Sequence, residues 1–359
     1  MFIKKKLLLC FMMSLILFMT TSCTKKEIET NKELEVNNTK SYSKVTLMKN
    51  SSSKLIEEFK LINGKKDYID SLKPIANFKY SIKDNVYLYQ FIKSTGQSLS
   101  NSYISITTNN KSIELDDFYS ASDITMSPKG TAVAFRAYAK DDYLSFEDKP
   151  RIFDIDKNKY KEIPIDTLIS GNLFKWHGEN TLIYYGVKTE NNLKKAALYK
   201  FDFEKNEEYE EKSFKGNITF MDFVNSDELI ILLRVNEKKS QLIKYNLASK
   251  EYTILNDSID TIYDMTFFKD DIFILAKDVN NVISIFNINS LGKIKRLIYD
   301  FPKKVHEKGG LTTDEKGNLY FLDIDADFNS NVYMINRENN SINLIIDDLS
   351  YYHLYKAIN

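Results

Sequence analysis

Past residue 23 this chain of 359 residues contains no cysteine, so nothing beyond that point can be cross-linked by a disulfide. Its only other cysteine, Cys10, lies in an apolar N-terminal run. Histidine is equally scarce: His177, His306 and His353 are the full set, none at His-x-x-x-His spacing, which removes the usual basis for a zinc site. Arginine is limited to Arg136, Arg151, Arg234, Arg296 and Arg337, and the lysines are scattered among acids along the whole length. No basic face for a polyanion is visible, and nucleic acid is not expected as a partner. The chain also lacks a Gly-x-Ser-x-Gly nucleophile elbow and any Gly-rich phosphate loop. A peptidase or esterase of the hydrolase type and a nucleotide enzyme therefore have no support.

What is present begins at the N-terminus. Lys4, Lys5 and Lys6 precede an apolar run from Leu7 to Met19, followed by Thr20-Thr21-Ser22-Cys23. A basic segment, an apolar segment and small residues ahead of a cysteine make an export signal. The arrangement resembles the bacterial lipobox, with Thr20 standing where that family usually has Leu. The resemblance implies cleavage after Ser22 and lipid attachment at Cys23, hence a protein held on the extracytoplasmic face of the cell membrane. Ordinary cleavage at the same bond would release a soluble protein. The apolar run is shorter than the ~20 residues of a spanning helix. Loss of residues 1–22 removes three lysines and no acid, leaving a formal charge of −3. Residues 23–41 lack Gly, Pro and, up to Lys40, any aromatic, and are expected to form a flexible tether.

From Tyr42 onward short runs rich in aromatic and β-branched residues alternate with Asn, Asp, Gly, Lys and Ser clusters, and no long helical period occurs. Asn85-Val-Tyr-Leu-Tyr-Gln-Phe-Ile92, Thr181-Leu-Ile-Tyr-Tyr185, Glu228-Leu-Ile-Ile-Leu-Leu233 and Asp271-Ile-Phe-Ile-Leu-Ala276 have the length and composition of strands. Strand groups recur roughly every 43 to 48 residues, the spacing of propeller blades. Copies begin near Asp123, Leu173, Ile218, Ile262 and Gly310, with a weaker one over Phe78 to Phe118. The C-terminal run Leu349 to Ile358 holds a single strand, and the segments near Lys44, Lys54 and Lys66 supply the three strands of a blade that lacks its first. Their union predicts a seventh blade joining the two termini; a six-bladed ring with an N-terminal flap is the alternative. The expected fold is thus all-β: a propeller of four-stranded antiparallel blades over 42–359.

Two hairpins carry a family likeness. Met126-Ser-Pro-Lys-Gly-Thr-Ala-Val-Ala-Phe135 resembles the Ser-Pro-Asp-Gly signature of TolB-like and dipeptidyl-peptidase-type propellers, with Lys129 in place of Asp. Thr313-Asp-Glu-Lys-Gly-Asn-Leu-Tyr-Phe321 resembles the corresponding turn of NHL and gluconolactonase-like propellers. Both speak to architecture and neither brings chemistry with it.

Candidate site residues are few. Asp323, Asp325 and Asp327 alternate like the start of a calcium loop, but Phe328 stands where the turn needs Gly and Met334 where a bidentate Glu belongs. Solvated loop carboxylates are the expected reading, and no metal or cofactor is assigned. Trp176 and His177 could line a ligand site, with a buried aromatic between blades the preferred reading, and Tyr351, Tyr352 and Tyr355 invite sugar stacking, yet alternating aromatics are what wedge-shaped blade packing requires. The residues therefore point to a monomeric binding or scaffolding module for a protein or cell-envelope ligand. The alternative is a lactonase- or lyase-type propeller enzyme with a metal or carboxylate site in its central funnel. Replacing Cys23 by Ala should abolish incorporation of a labelled fatty acid into the protein; a wild-type chain that takes up no label would remove the lipid anchor from consideration.

Overall fold

The computed structural model describes residues 33–34, 40–95, 100–140, 149–289 and 291–358. Cys23, the signal segment and most of the span read as a tether lie outside the described residues. Throughout the described residues the regular structure is β.

Blade 1 consists of Ile75–Ser81, Val86–Ser94, Asn101–Thr107 and Ser112–Leu115; the weaker repeat of the sequence is a full blade. Blade 2 is Ser120–Met126, Ala132–Tyr138, Arg151–Asp154 and Lys159–Lys161. Blade 3 is Leu168–His177, Thr181–Glu190, Leu193–Asp202 and Glu207–Lys212. Asn217–Phe223, Glu228–Asn236, Lys239–Asn246 and Glu251–Asn256 form blade 4, and Ile259–Phe268, Asp271–Asp278, Ile283–Ile288 and Ile294–Arg296 form blade 5.

The remaining strands form one sheet of seven. Leu311–Thr313, Leu319–Leu322 and Ser330–Ile335 pair in order with the first part of the long strand Ile342–Lys356, completing blade 6. The second part of that strand pairs antiparallel with Val45–Ser52, matching Leu47 to Leu354 and Met48 to His353. Leu55–Ile62 and Lys65–Leu72 follow outward. This is the blade expected from the two termini, with the C-terminal strand innermost.

Packing confirms the count. Seven apolar layers lie between successive blades, and the last of them, which includes Met48, Ile56, Phe78, Tyr80, Tyr87 and Tyr89, joins blade 7 to blade 1. Because a neighbouring blade covers each face, the second strand of a blade reads as an unbroken apolar run: Leu229 to Leu233 are all buried. Outer strands face water, and Glu251 to Ile254 of blade 4 are all exposed.

The quoted hairpin motifs work as joints. Glu179 of blade 3 accepts hydrogen bonds from Ser127 Oγ at 2.7 Å, Lys129 N at 2.7 Å and Thr131 Oγ1 at 2.5 Å, so one carboxylate grips the Ser-Pro-Lys-Gly turn of blade 2. Gly130 in that turn has φ +70° and a Cβ there would lie 2.8 Å from Val86 Cβ, so both conformation and space demand glycine. In the other hairpin Asp314 accepts from the backbone of Lys316 and Asn318 at 2.9 Å each, an Asx turn closed by its own residues.

Within the span read as a tether, Glu33–Leu34 pairs with Ser112 and Ile113, filling the open edge of blade 1. Lys40 then reaches into the seam between blades 7 and 1. Its Nζ lies 3.0 Å from both Glu58 Oε2 and Asp70 Oδ2, and 3.1 Å from Tyr89 Oη. Glu58 is fully enclosed and also accepts from the Tyr89 hydroxyl at 2.9 and 3.0 Å; Tyr89 is bonded in turn to the Tyr42 hydroxyl. Desolvation raises the pKa of Glu58, and the Lys40 ammonium works against that rise.

Closure through the last strand sets its energetic weight. Tyr352 and Leu354 are almost wholly buried, and burial of such side chains contributes roughly 1.5 to 3 kcal/mol each. Removing residues 351–359 should therefore lower the melting temperature by more than about 10 °C, since a typical domain has a margin of only ~5 to 15 kcal/mol. Removing residues 24–32, ahead of the first described strand, should shift it by less than about 2 °C. Equal thermal shifts for the two truncations would show that the ring does not close through its C-terminus.

Candidate functional site

In a propeller the first strand of each blade lines the central channel, so charged side chains on those strands converge on the axis. Five do so here. Lys79 comes from blade 1, Lys175 from blade 3, Asp222 from blade 4, Asp264 from blade 5 and Lys356 from blade 7. All four of the other groups act electrostatically on Lys79.

Two carboxylates anchor the cluster, and the backbone holds both. Asp264 accepts from Met265 N and from Leu311 N of blade 6, each at 2.8 Å, and Lys356 meets it at 3.0 Å. The same lysine donates to the Met265 carbonyl oxygen. It reaches past blade 6 to do so, because the inner strand of that blade is only Leu311–Thr313. Asp222 accepts from Phe223 N at 3.0 Å and lies 3.4 Å from Lys175. Register shifts interrupt the innermost strands beside these residues, between Ile169 and Phe174 in blade 3 and between Ile262 and Asp264 in blade 5. Such bulges re-aim side chains. The blade 3 irregularity is held by Arg136, whose guanidinium donates to the carbonyls of Ile169 at 2.7 Å and Gly171 at 2.9 Å.

The balance is three ammonium groups against two carboxylates. Lys175 and Lys356 each have an aspartate; the ammonium of Lys79 makes neither a hydrogen bond nor an ion pair with any described residue. Although the ring surrounds them, the four paired groups keep 24 to 35% of their side-chain surface open, so water enters the channel and softens the cost of desolvation. Desolvation nevertheless pulls the pKa of Lys79 down to about 8, helped by the like charges of Lys175 and Lys356 and opposed by Asp264 and Asp222. For Lys356 desolvation acts the same way but Asp264 and Asp222 outweigh it, and the pKa rises. For Asp222 desolvation is outweighed by Lys175 and Lys356, and the pKa falls.

The residues singled out in the sequence lie elsewhere. Trp176 is buried between blades 2 and 3, donating from Nε1 to the Thr125 carbonyl at 3.3 Å and stacking on Phe203. His177 stacks on Phe223 and lies 2.7 Å from the Ser226 carbonyl oxygen, tying blade 3 to blade 4. Asp325 caps its own turn, accepting from Asp327 N at 2.9 Å and Asn329 N at 2.8 Å, while Asp323 accepts from Asn331 N at 2.7 Å. Among the described residues no three His, Cys, Asp or Glu stand together as metal ligands. Tyr352 fills the layer between blades 6 and 7, and Tyr355 packs edge-on to Phe78 across the closing seam.

Comparison with known proteins bears on the fold. No protein-family model and no curated protein sequence matches the chain. Among solved structures it is similar to an uncharacterized protein of Listeria monocytogenes, at 14% identity and TM-score 0.57, over 89% of this chain and 96% of that one. It is also similar to the β-propeller domain of the Trilobed protease of Pyrococcus furiosus, described as having an open velcro topology, at 10% identity and TM-score 0.55, over 85% and 97%. TolB of Acinetobacter baumannii matches at 9% identity and TM-score 0.48, over 86% and 82%. At these identities the first two show the fold alone, a β-propeller such as that of a peptidase propeller domain.

The unpaired ammonium has a measurable cost. A lysine whose folded pKa lies near 8 opposes folding at neutral pH, and the opposition fades as pH rises from there to its unfolded value near 10.5. Replacing Lys79 by Met should accordingly raise stability at pH 7, by about 1 to 2 kcal/mol after allowance for channel water. That gain should shrink toward zero as pH approaches about 10.5. Denaturant unfolding of both proteins across this range checks it; a destabilised variant at pH 7 would contradict the assignment.

Proposed function

We propose that this chain is a lipid-anchored extracytoplasmic β-propeller, attached to the cell membrane through Cys23, that works as a binding or scaffolding module for a protein or cell-envelope component. The convergence of Lys79, Lys175, Asp222, Asp264 and Lys356 on the channel supports this reading most directly. Five blades each contribute one charged group to one place, and two of those groups are fixed by backbone N–H donors. A rigid scaffold presenting a small, mixed set of charges is what recognition of a polar ligand requires. The export signal and the lipobox-like cysteine would place that channel outside the membrane, and residues between Cys23 and Lys40 would set its distance from the head groups.

The mature full-length chain, immobilised and exposed to an extract of its own cell envelope, should retain a partner that the triple variant Lys79→Gln, Lys175→Gln, Lys356→Gln loses. A control change on the outer strand of blade 4, Tyr252→Ala, should leave retention intact, since Tyr252 faces solvent. Retention unaffected by the triple variant, with its melting temperature near that of the wild type, would move the binding surface away from the channel.

A further inference from the structure

The five converging groups, three ammonium and two carboxylate, are one anion short, and Asp123 on the inner strand of blade 2 is already met by Arg136 at 3.5 Å. The pairs Lys175 with Asp222 and Lys356 with Asp264 are complete, and Lys79 on the inner strand of blade 1 is left over. An unanswered charge inside a protein is normally removed by substitution or matched by a partner, because desolvating it costs free energy without return. Here it stands between Phe78 and Tyr80, two fully packed residues of the closing seam, so its backbone is fixed and its side chain is held in the channel. We propose that the channel is a binding site for a singly charged carboxylate, seated on the Lys79 ammonium and completing the charge balance of the ring.

The charge count selects the class of anion. One surplus positive charge matches a carboxylate. A phosphate monoester carries roughly −1.5 to −2 at neutral pH and would bring its extra charge up against Asp222 and Asp264. None of the five converging groups is an arginine, and it is the planar guanidinium fork that best fits a phosphate or a bidentate carboxylate. An ammonium is a point charge suited to one oxygen at a time, with the second oxygen left to channel water. The lowered pKa of Lys79 fits the same picture, since an anion beside it stabilises the charged form that desolvation and the neighbouring ammonium groups disfavour. Binding should therefore be coupled to proton uptake, with Lys175, Lys356, Asp222 and Asp264 as the charges that set its strength. Two sources offer this chemistry, a small free carboxylic acid and the C-terminus of a polypeptide.

This inference rests on the reading of the channel as the recognition surface, and its test is separable from the envelope capture. The mature chain, carrying 13C-methylated lysines, is titrated with acetate, with trialanine, with trialanine amide and with inorganic phosphate. Acetate or trialanine should raise the Lys79 pKa from its value near 8, and the affinity should fall about tenfold or more between pH 7 and pH 9.5 as the free ammonium is lost. Lys79→Met should weaken binding at least tenfold while keeping a melting temperature at or above the wild type, which separates lost binding from lost folding. Trialanine binding well above that of acetate and of the amide assigns the site to a chain terminus; equal binding of acetate and trialanine assigns it to a free acid. Wild-type protein that binds neither carboxylate, that prefers phosphate, or that binds acetate equally well after Lys79→Met overturns the proposal. A chain that still captures an envelope partner under those conditions leaves the broader reading in place.

Discussion

Ring closure depends on the strand Ile342–Lys356, which belongs to two blades at once. Its first part is the outer strand of blade 6 and its second part the inner strand of blade 7, so the chain crosses from the rim of one blade to the axis of the next inside a single element. Without it, blade 7 would be three strands with an open inner edge, and the layers on both sides of that blade would lose Tyr352, Leu354 and Tyr355. Lys356 sits at the end of the same strand and reaches Asp264 across the short blade 6. The closure that stabilises the ring thus also delivers one of the charges of the channel.

The seven layers between blades differ in chemistry. Most are aliphatic with a few aromatics, whereas the seam between blades 7 and 1 is dominated by Tyr42, Phe78, Tyr80, Tyr87, Tyr89 and Tyr355. Phe78 stacks on both Tyr80 and Tyr89 at ring separations of 4.9 and 4.8 Å. Tyrosine suits this seam, because it gives large buried area and an end that can reach a partner. Tyr80 uses its hydroxyl on the Ser43 carbonyl at 2.8 Å, and Tyr89 uses its own on Glu58. The seam is thereby specified in register as well as in area.

Much of this architecture was legible in the sequence. Strand runs and turn clusters are local signals, and the orphan strands at the two ends had only each other as partners, so the closing blade followed from counting. The channel cluster was missed because a charge inside a strand reads as a surface position when the strand is taken singly. The signal was present in the aligned repeats: Lys79 between Phe78 and Tyr80, Lys175 between Phe174 and Trp176, Asp222 between Met221 and Phe223, Asp264 between Tyr263 and Met265. Each is a charge flanked by apolar residues in the first strand of a blade, where the only polar environment is the axis. Trp176 and His177 drew notice as rare residues, yet rarity carries no information about position. The Asp323 to Asp327 run imitates a cation loop since both uses need carboxylates at alternate positions; here backbone N–H groups take the oxygens.

The way the N-terminal segment enters the ring has a mechanical consequence. Lys40 is clamped to Glu58 and Asp70, and five residues later the chain becomes the strand Val45–Ser52, held between the last strand on one side and Leu55–Ile62 on the other. Once the two-residue pairing of Glu33–Leu34 with blade 1 has given way, a pull that follows the line of that strand reaches it through Lys40. Both flanking ladders are then loaded in shear, so their hydrogen bonds must give way together, where a pull across the strand would open them one at a time. Tension that enters by Lys40 is thus spread over the part of the ring that joins its two ends.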